Sequence, residues 1–172
     1  MGSAPVSGAS TSPPGRGVPE RGHPDRAVPG HGPQALLDGT TTGHRLGIGE
    51  TVLPPHTDGP PQHRHAEHDE GFYVISGTVR FTVGDEVRDA TAGTLVMVPP
   101  GAPHTFAHPG DRPAVMLCTF SPDLYLQYFR DLRDALAEGR EPAAEATVRT
   151  MRRYATEPAA DFAPGPEAGR EA

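Results

Sequence analysis

The chain has 172 residues, which is enough for one domain of ordinary size but not for two well-buried cores with additional polar tails. The formal net charge is -7 and no basic stripe occurs, which argues against a nucleic-acid partner because affinity for phosphate backbones comes from clustered Lys and Arg. All 15 basic residues are Arg, so Schiff-base chemistry on a lysine of this chain is excluded.

Residues 1–33 form a Gly/Pro-rich arm in which valine is the only branched apolar residue type. Such a segment cannot bury enough apolar surface to offset the entropy lost on ordering, so we expect it to be disordered. It contains neither the apolar core of a signal peptide nor a twin-arginine signal, and no stretch of the chain approaches the ~20 apolar residues of a membrane helix. We therefore expect a cytoplasmic protein that does not bind a membrane.

Short apolar runs punctuated by Gly, Pro and Asp fill residues 34–121, without a helical period. This pattern predicts an all-β sandwich or barrel. The predicted strands are 45–53, 62–65, 71–75, 78–83, 87–90, 94–98, 104–108 and 114–120. Gly77 marks a tight bend, and Gly84-Asp85 is typical of a two-residue hairpin loop, so consecutive strands are predicted to pair antiparallel.

Residues 122–157 are predicted to form a helical extension. Ser121-Pro122-Asp123 is a good helix start with Pro at the first helical position, and Gly139 ends the apolar periodicity. A weaker second helix begins near Pro142, and residues 158–172 form a tail that we expect to be disordered. The first helix must bury its apolar face against its own barrel or a partner's, and we favour a homodimer. That face carries Leu124, Tyr125, Tyr128, Phe129, Leu132 and Leu136.

Three histidines and one glutamate are candidate metal ligands. His63 and His65 are two residues apart, so on a strand both imidazoles project to the same face. Glu70 opens the next strand, and His104 opens another strand after a Pro-Pro-Gly turn. Three imidazoles and a carboxylate suit one divalent Fe, Mn, Co, Ni or Zn ion and leave one or two positions for water or substrate. Without His104, the two neighbouring histidines would be better interpreted as surface residues in a polar turn.

The spacing of these residues resembles the two motifs of the cupin superfamily. The first motif, His-x-His, three or four residues, Glu, six residues and Gly, is matched by His63, His65, Glu70 and Gly77. The second is matched by Gly93, Pro99-Pro100-Gly101 and His104. Two positions depart from the family: Gly59 lies four residues before the first histidine rather than six, and His108 stands where the family has Asn.

The resemblance implies a double-stranded β-helix, the cupin jelly-roll barrel, over residues 34–121, followed by the C-terminal helical extension. It also implies that His63, His65, Glu70 and His104 hold the metal. Among cupins, the small single-domain proteins similar to quercetin dioxygenases come closest, since many of them carry a helical extension after the barrel.

Further residues are candidates for the surroundings of the metal. His108 either faces the cavity as a hydrogen-bond partner or proton carrier, or caps its strand beside Pro109. His68 and Glu67 are expected to point to solvent from a turn, and Cys118 to be a core residue. Candidates for an apolar pocket wall are Phe72, Phe81, Met97, Phe106 and Leu117, although barrel interiors are apolar with or without a ligand.

The predicted function is that of a metal-dependent dioxygenase. A small oxygenated substrate, flavonol-like or dicarbonyl, would bind the metal through enolate or phenolate oxygens and react with dioxygen. Glu70 would be both a ligand and the catalytic general base that accepts the substrate hydroxyl proton. Two alternatives stay open: a non-redox isomerase, cyclase or lyase that uses the metal as a Lewis acid, and a non-enzymatic protein that binds a small molecule.

Overall fold

The computed structural model describes residues 33–139 and 144–159. Nearly all of the predicted disordered arm, residues 1–32, and residues 160–172 of the predicted tail lie outside the described residues. The first two residues of that tail do not fit the prediction, because Pro158 ends a strand and Ala159 is fully buried. Among the described residues, no helix combines the length and apolar character needed to cross a membrane.

The described chain forms two five-stranded antiparallel sheets, as expected for a double-stranded β-helix. One sheet has the order β1-β2-β9-β4-β7 and the other β10-β3-β8-β5-β6. The strands are β1 Gln34–Leu37, β2 Gly47–Leu53, β3 His63–His65, β4 Asp69–Ser76, β5 Thr78–Val83, β6 Glu86–Thr91, β7 Leu95–Val98, β8 His104–Ala107, β9 Ala114–Ser121 and β10 Thr156–Pro158. All eight predicted strands are present, while β1 and β10 were not predicted.

The alternation of side chains explains why the two sheets pack face to face. In β2 and β9 every second residue is buried, so each strand sends one row of side chains into the interior and the other row outward. Val74, Met116 and Phe120 are buried in the interior between the sheets. Cys118 is buried among them, as predicted for a core residue.

The two predicted glycine turns have different roles. Gly84-Asp85 closes a two-residue hairpin in which Val83 pairs with Glu86, as predicted. Gly77 does not close a hairpin: it has a φ of 78° and takes the chain from β4 in one sheet to β5 in the other. A Cβ at this position would lie 2.7 Å from the Cβ of Ala114, so the crossing requires glycine. The expectation that consecutive strands pair was wrong for most of the barrel, because among the predicted strands only β5 and β6 are both consecutive and paired.

The C-terminal extension begins with helix α1, Leu124–Ala137. Its N-cap is Asp123, so Pro122 precedes the helix instead of occupying its first position. The Asp123 carboxylate is buried and lies 3.0 Å from Nδ1 of His44, which anchors the start of the helix to the loop before β2.

The apolar face of α1 covers its own barrel. Tyr125, Leu126 and Tyr128 are buried in the same core cluster as the strands. The helix therefore needs no partner chain to cover its apolar face, and the homodimer stays a prediction.

Helix α2, Ala144–Arg153, follows α1, and Tyr154 donates a hydrogen bond to Asp131 of α1. The chain then returns to the barrel as β10, which pairs antiparallel with β3.

Candidate metal centre

Strands β3 and β8 bring three imidazoles together at one end of the barrel. His63 and His65 are buried while the intervening Arg64 is not, as strand alternation predicts. His63 lies directly opposite His104 in the antiparallel register, and their ring centroids are 4.5 Å apart. The centroid of His65 is 5.0 Å from that of His104.

Glu70 reaches the same point from β4 in the opposite sheet. Its Oε2 lies 2.8 Å from Nε2 of His104 and 3.2 Å from Nε2 of His65. One ligand atom from each of the four residues can be chosen so that all lie within 4.8 Å of one another, and all four residues are buried. The structure therefore gathers the four predicted ligands into one cluster.

Hydrogen bonds at Nδ1 orient each imidazole. His63 Nδ1 lies 2.9 Å from the carbonyl oxygen of Pro61, and His104 Nδ1 lies 3.0 Å from that of Ala102. His65 Nδ1 lies 2.7 Å from Oγ1 of Thr156, whose hydroxyl donates to the carbonyl of Tyr154 and must therefore accept from the histidine. Each ring donates its Nδ1 proton, so each neutral imidazole has its lone pair on Nε2.

These residues fit a divalent metal ion. Nε2 of His65 is buried and makes no well-directed hydrogen bond with any described residue. Nε2 of His104 and the Glu70 carboxylate are both acceptors when the imidazole is neutral, so their 2.8 Å approach calls for a positive charge between them. Two ligand atoms about 2.1 Å from a metal and at right angles lie about 3 Å apart. The observed 2.8 and 3.2 Å separations agree with that spacing.

The electrostatics of the cluster favour the protonation states that a metal requires. Burial lowers the pKa of His63 to about 4, helped by the neighbouring His104 and His65, and burial also lowers the pKa of His65. Burial alone would raise the pKa of Glu70, but contacts with His104 and His65 outweigh it and hold that pKa well below its usual range. These shifts favour neutral imidazoles at His63 and His65 and an ionised carboxylate at Glu70 near neutral pH.

An apolar cavity of about 360 Å³ opens beside the cluster. Three of the four ligands, His63, Glu70 and His104, line this cavity, whereas His65 lies behind them. The walls are mainly aromatic and aliphatic: Leu53, Phe72, Phe106, Phe120, Tyr125, Tyr128, Phe129, Leu132 and Leu136 line the cavity. A site of this size and polarity suits one small organic ligand.

The pocket residues expected from the sequence divide into three groups. Phe72 and Phe106 line the cavity. Phe81 is buried in contact with both of these rings but is not part of the wall. Met97 is 54% exposed and Leu117 is only partly buried, because both lie on the outward row of their strands. Their assignment to the pocket was wrong.

His108 does not face the cavity. The ring is buried, with Nδ1 2.7 Å from the carbonyl of Thr78 and Nε2 2.6 Å from that of Arg112. The histidine therefore ties the end of β8 to two other backbone segments. This geometry favours the strand-capping alternative over the proton carrier.

Three residues beside the centre were not recognised from the sequence. Tyr125 of α1 lies over the ligands, with its ring centroid 4.3 Å from His65 and 5.6 Å from His63. His68 is 1% exposed, which corrects the expectation that it points to solvent, and its ring lies 4.1 Å from that of His65. Thr156 supplies the acceptor for His65 from β10. The first and third come from the C-terminal extension, where the sequence offers no ligand-like spacing.

Comparison with known families agrees with the two sequence motifs. A family model described as "Cupin domain" matches residues 49–120, which contain all four ligands. The "RmlC-like cupin" of Shewanella frigidimarina is a solved structure with 28% identity and a TM-score of 0.42, covering 46% of this chain and 68% of that one.

Two curated relatives match parts of the chain. "Uncharacterized protein SCO3923" of Streptomyces coelicolor is 39% identical over 61 residues, which are 36% of this chain and 56% of that protein. "Mannose-1-phosphate guanylyltransferase 2" of Escherichia coli O157:H7 is 28% identical over 91 residues, which are 53% of this chain and 19% of that protein. The chain thus spans just over half of one relative and about a fifth of the other.

Proposed function

Because this chain belongs to the cupin superfamily, we propose that it is a metal-dependent dioxygenase acting on a small oxygenated organic substrate of the flavonol or dicarbonyl type. The observation that carries the proposal is the convergence of three oriented Nε2 atoms and one carboxylate oxygen at the wall of an apolar cavity. His63, His65, Glu70 and His104 would hold Fe, Mn, Co or Ni, ions whose six-coordinate geometry leaves two positions beyond four protein ligands. When bound, such an ion supplies Lewis acidity and one-electron redox chemistry.

The chain's own residues have three tasks in this proposal. The aromatic walls, including Phe72 and Phe106, exclude water and hold a planar substrate against the ligands. The Glu70 carboxylate, ionised at neutral pH, accepts the substrate's hydroxyl proton at a carboxylate oxygen. The Nδ1 hydrogen bonds of the three histidines keep their Nε2 atoms fixed while substrate enters and product leaves.

Metal content and oxygen uptake test the proposal together. Protein reconstituted anaerobically with each of the candidate ions is assayed for oxygen consumption against a panel of flavonols and dicarbonyl compounds. We expect uptake that requires both metal and substrate. The His104→Ala variant should lose most of its bound metal and its activity, whereas His56→Ala, a change at an exposed histidine, should keep both.

Two results would overturn the proposal in different ways. Full metal content in His104→Ala would remove the ligand assignment. Turnover that continues unchanged under strict anaerobiosis would instead assign the centre to Lewis-acid chemistry, such as isomerisation or lyase cleavage of a carbonyl compound.

A further inference from the structure

The charge distribution in the cavity is uneven. Among the described residues that line it, the charged side chains besides the histidines are Glu70, in the metal cluster, and Arg133, on α1. The remaining lining is largely apolar and aromatic, including Phe120, Tyr128 and Phe129. A ligand that fills the cavity thus meets metal ligands at one end and a single cation elsewhere in its lining.

The course of α1 places these two features at opposite ends. Tyr125, whose ring lies against the histidines, is buried, whereas the side chain of Arg133 is 64% exposed and therefore lies at the mouth. The two residues are eight positions apart, which corresponds to about 12 Å along an α-helix. Tyr128, Phe129 and Leu132 lie between them on the cavity wall. The spacing suits a ligand with one or two rings between its polar ends.

Arg133 is also available to a ligand. Its ion pair is with the adjacent Asp134, at 3.6 Å, and both side chains are largely exposed. A solvated pair of this kind contributes little to stability. The neighbouring Arg130 differs, because it lies 3.4 Å from Asp38, also contacts Gln127, and does not line the cavity.

From this arrangement we propose that the substrate is an aromatic or alicyclic carboxylate, with metal-binding oxygens at one end and a carboxylate that Arg133 recognises at the other. This inference rests on the proposed function for its metal-bound end. The guanidinium donates two parallel hydrogen bonds to a carboxylate, which selects for that group over a neutral substituent. Arg133 is then a specificity-determining residue supplied by the helical extension, outside the cupin motifs.

A pair of matched probes tests the inference without turnover. Protein loaded with Mn²⁺ and kept free of oxygen is titrated with 3-hydroxyflavone and with its 4′-carboxylate, and binding is followed by the change in the absorption spectra of the probes. We expect the carboxylate to bind about fivefold more tightly, the modest gain appropriate to an exposed ion pair, and to lose this preference in high salt.

Three variants test whether Arg133 causes the preference for the carboxylate probe. Arg133→Ala should remove the preference for the carboxylate probe without lowering the manganese content. Arg130→Ala, the same change on the same helix but outside the cavity, should keep the preference. Asp134→Asn should increase it, because Arg133 loses its competing anion.

The possible failures are distinguishable. Equal binding of the two probes to the unaltered protein, or a preference that persists in Arg133→Ala, would overturn the role of Arg133 while the oxygen-uptake result stands unaffected. If neither probe binds the manganese-loaded protein, the flavonol-type substrate class is wrong, and the role of Arg133 falls together with that part of the proposed function.

Discussion

Thr156 offers a sharp test of how the metal centre is built. Its hydroxyl lies 2.7 Å from Nδ1 of His65 and is the acceptor that fixes which nitrogen of the ring faces the other ligands. Both side chains are 2% exposed, so water cannot replace the hydroxyl without opening the structure. We predict that Thr156→Val, which keeps the shape of the side chain but removes the hydroxyl, weakens metal binding.

The size of the effect follows from two contributions. The buried Nδ1–H of His65 would lose its acceptor, a loss that costs about 1–3 kcal/mol. Loss of such a partner to a metal-bound histidine typically reduces metal affinity about 10- to 100-fold, which corresponds to about 1.4–2.8 kcal/mol. We expect the dissociation constant for Co²⁺ or Zn²⁺ to rise within that range. Thr156→Ser, which retains the hydroxyl, should restore most of the affinity.

Competition against a chromophoric chelator gives the dissociation constant, and the visible absorption of the Co²⁺ form reports changes in ligand geometry. Thr150→Val is the matched control, because that hydroxyl bonds to the carbonyl of Ala146 within α2 and does not touch the centre. A Thr156→Val affinity within twofold of the unaltered protein, or an equal loss in the control, would refute the reasoning.

Two further predictions follow from buried titratable groups. Because the pKa of His63 is about 4 when folded and 6.5 when unfolded, His63 alone should contribute about 3 kcal/mol to the stability that the metal-free protein loses as the pH falls from 6.5 to 4. The buried His65 and His68, whose pKa values are also lowered, add to this loss. Urea unfolding at several pH values measures the loss, and His63→Gln should reduce it by about 3 kcal/mol while His56→Gln leaves it unchanged. Burial raises the pKa of Cys118 to about 12, so a thiol reagent at pH 8 should modify the protein only after denaturant is added, and rapid labelling of the native protein would contradict its core position.

The four metal ligands could be predicted because their arrangement is set by local rules. A spacing of two places His63 and His65 on one face of a strand, and short turns fix where Glu70 and His104 begin their strands. It was harder to predict which side chains of β7 point into the barrel and which point outward. Val98 lies opposite Glu70 and is buried, so its neighbour Met97 must point outward over Gly71. The direction of these side chains becomes clear only when the register between β4 and β7 is known.

The residues that were missed depend on contacts between distant parts of the chain. Thr156 is 91 positions from His65, and the three-residue strand that carries it has no periodic pattern of its own. His68 is buried partly because Tyr125, 57 positions later, lies beside it with ring centroids 5.8 Å apart. Neither spacing nor composition indicates which surface of the barrel a following helix will cover, and an amphipathic pattern fits a partner chain equally well.

The positions of these residues suggest a division of roles between barrel and extension. The barrel strands supply every metal ligand, while α1 supplies one wall of the cavity and its only cation outside the histidines among the described lining residues. We therefore expect changes along α1 to alter which small molecule fits the cavity without changing the ligand residues, and changes in the two histidine motifs to alter metal binding without reshaping that wall. Thr156 is the exception, because it links the extension to the metal centre. The chain passes through both helices before β10 pairs with β3 and places Thr156 against His65. The orientation of the His65 ring therefore depends on the extension packing against the barrel. Metal affinity is accordingly expected to depend on the same segment that forms one wall of the cavity.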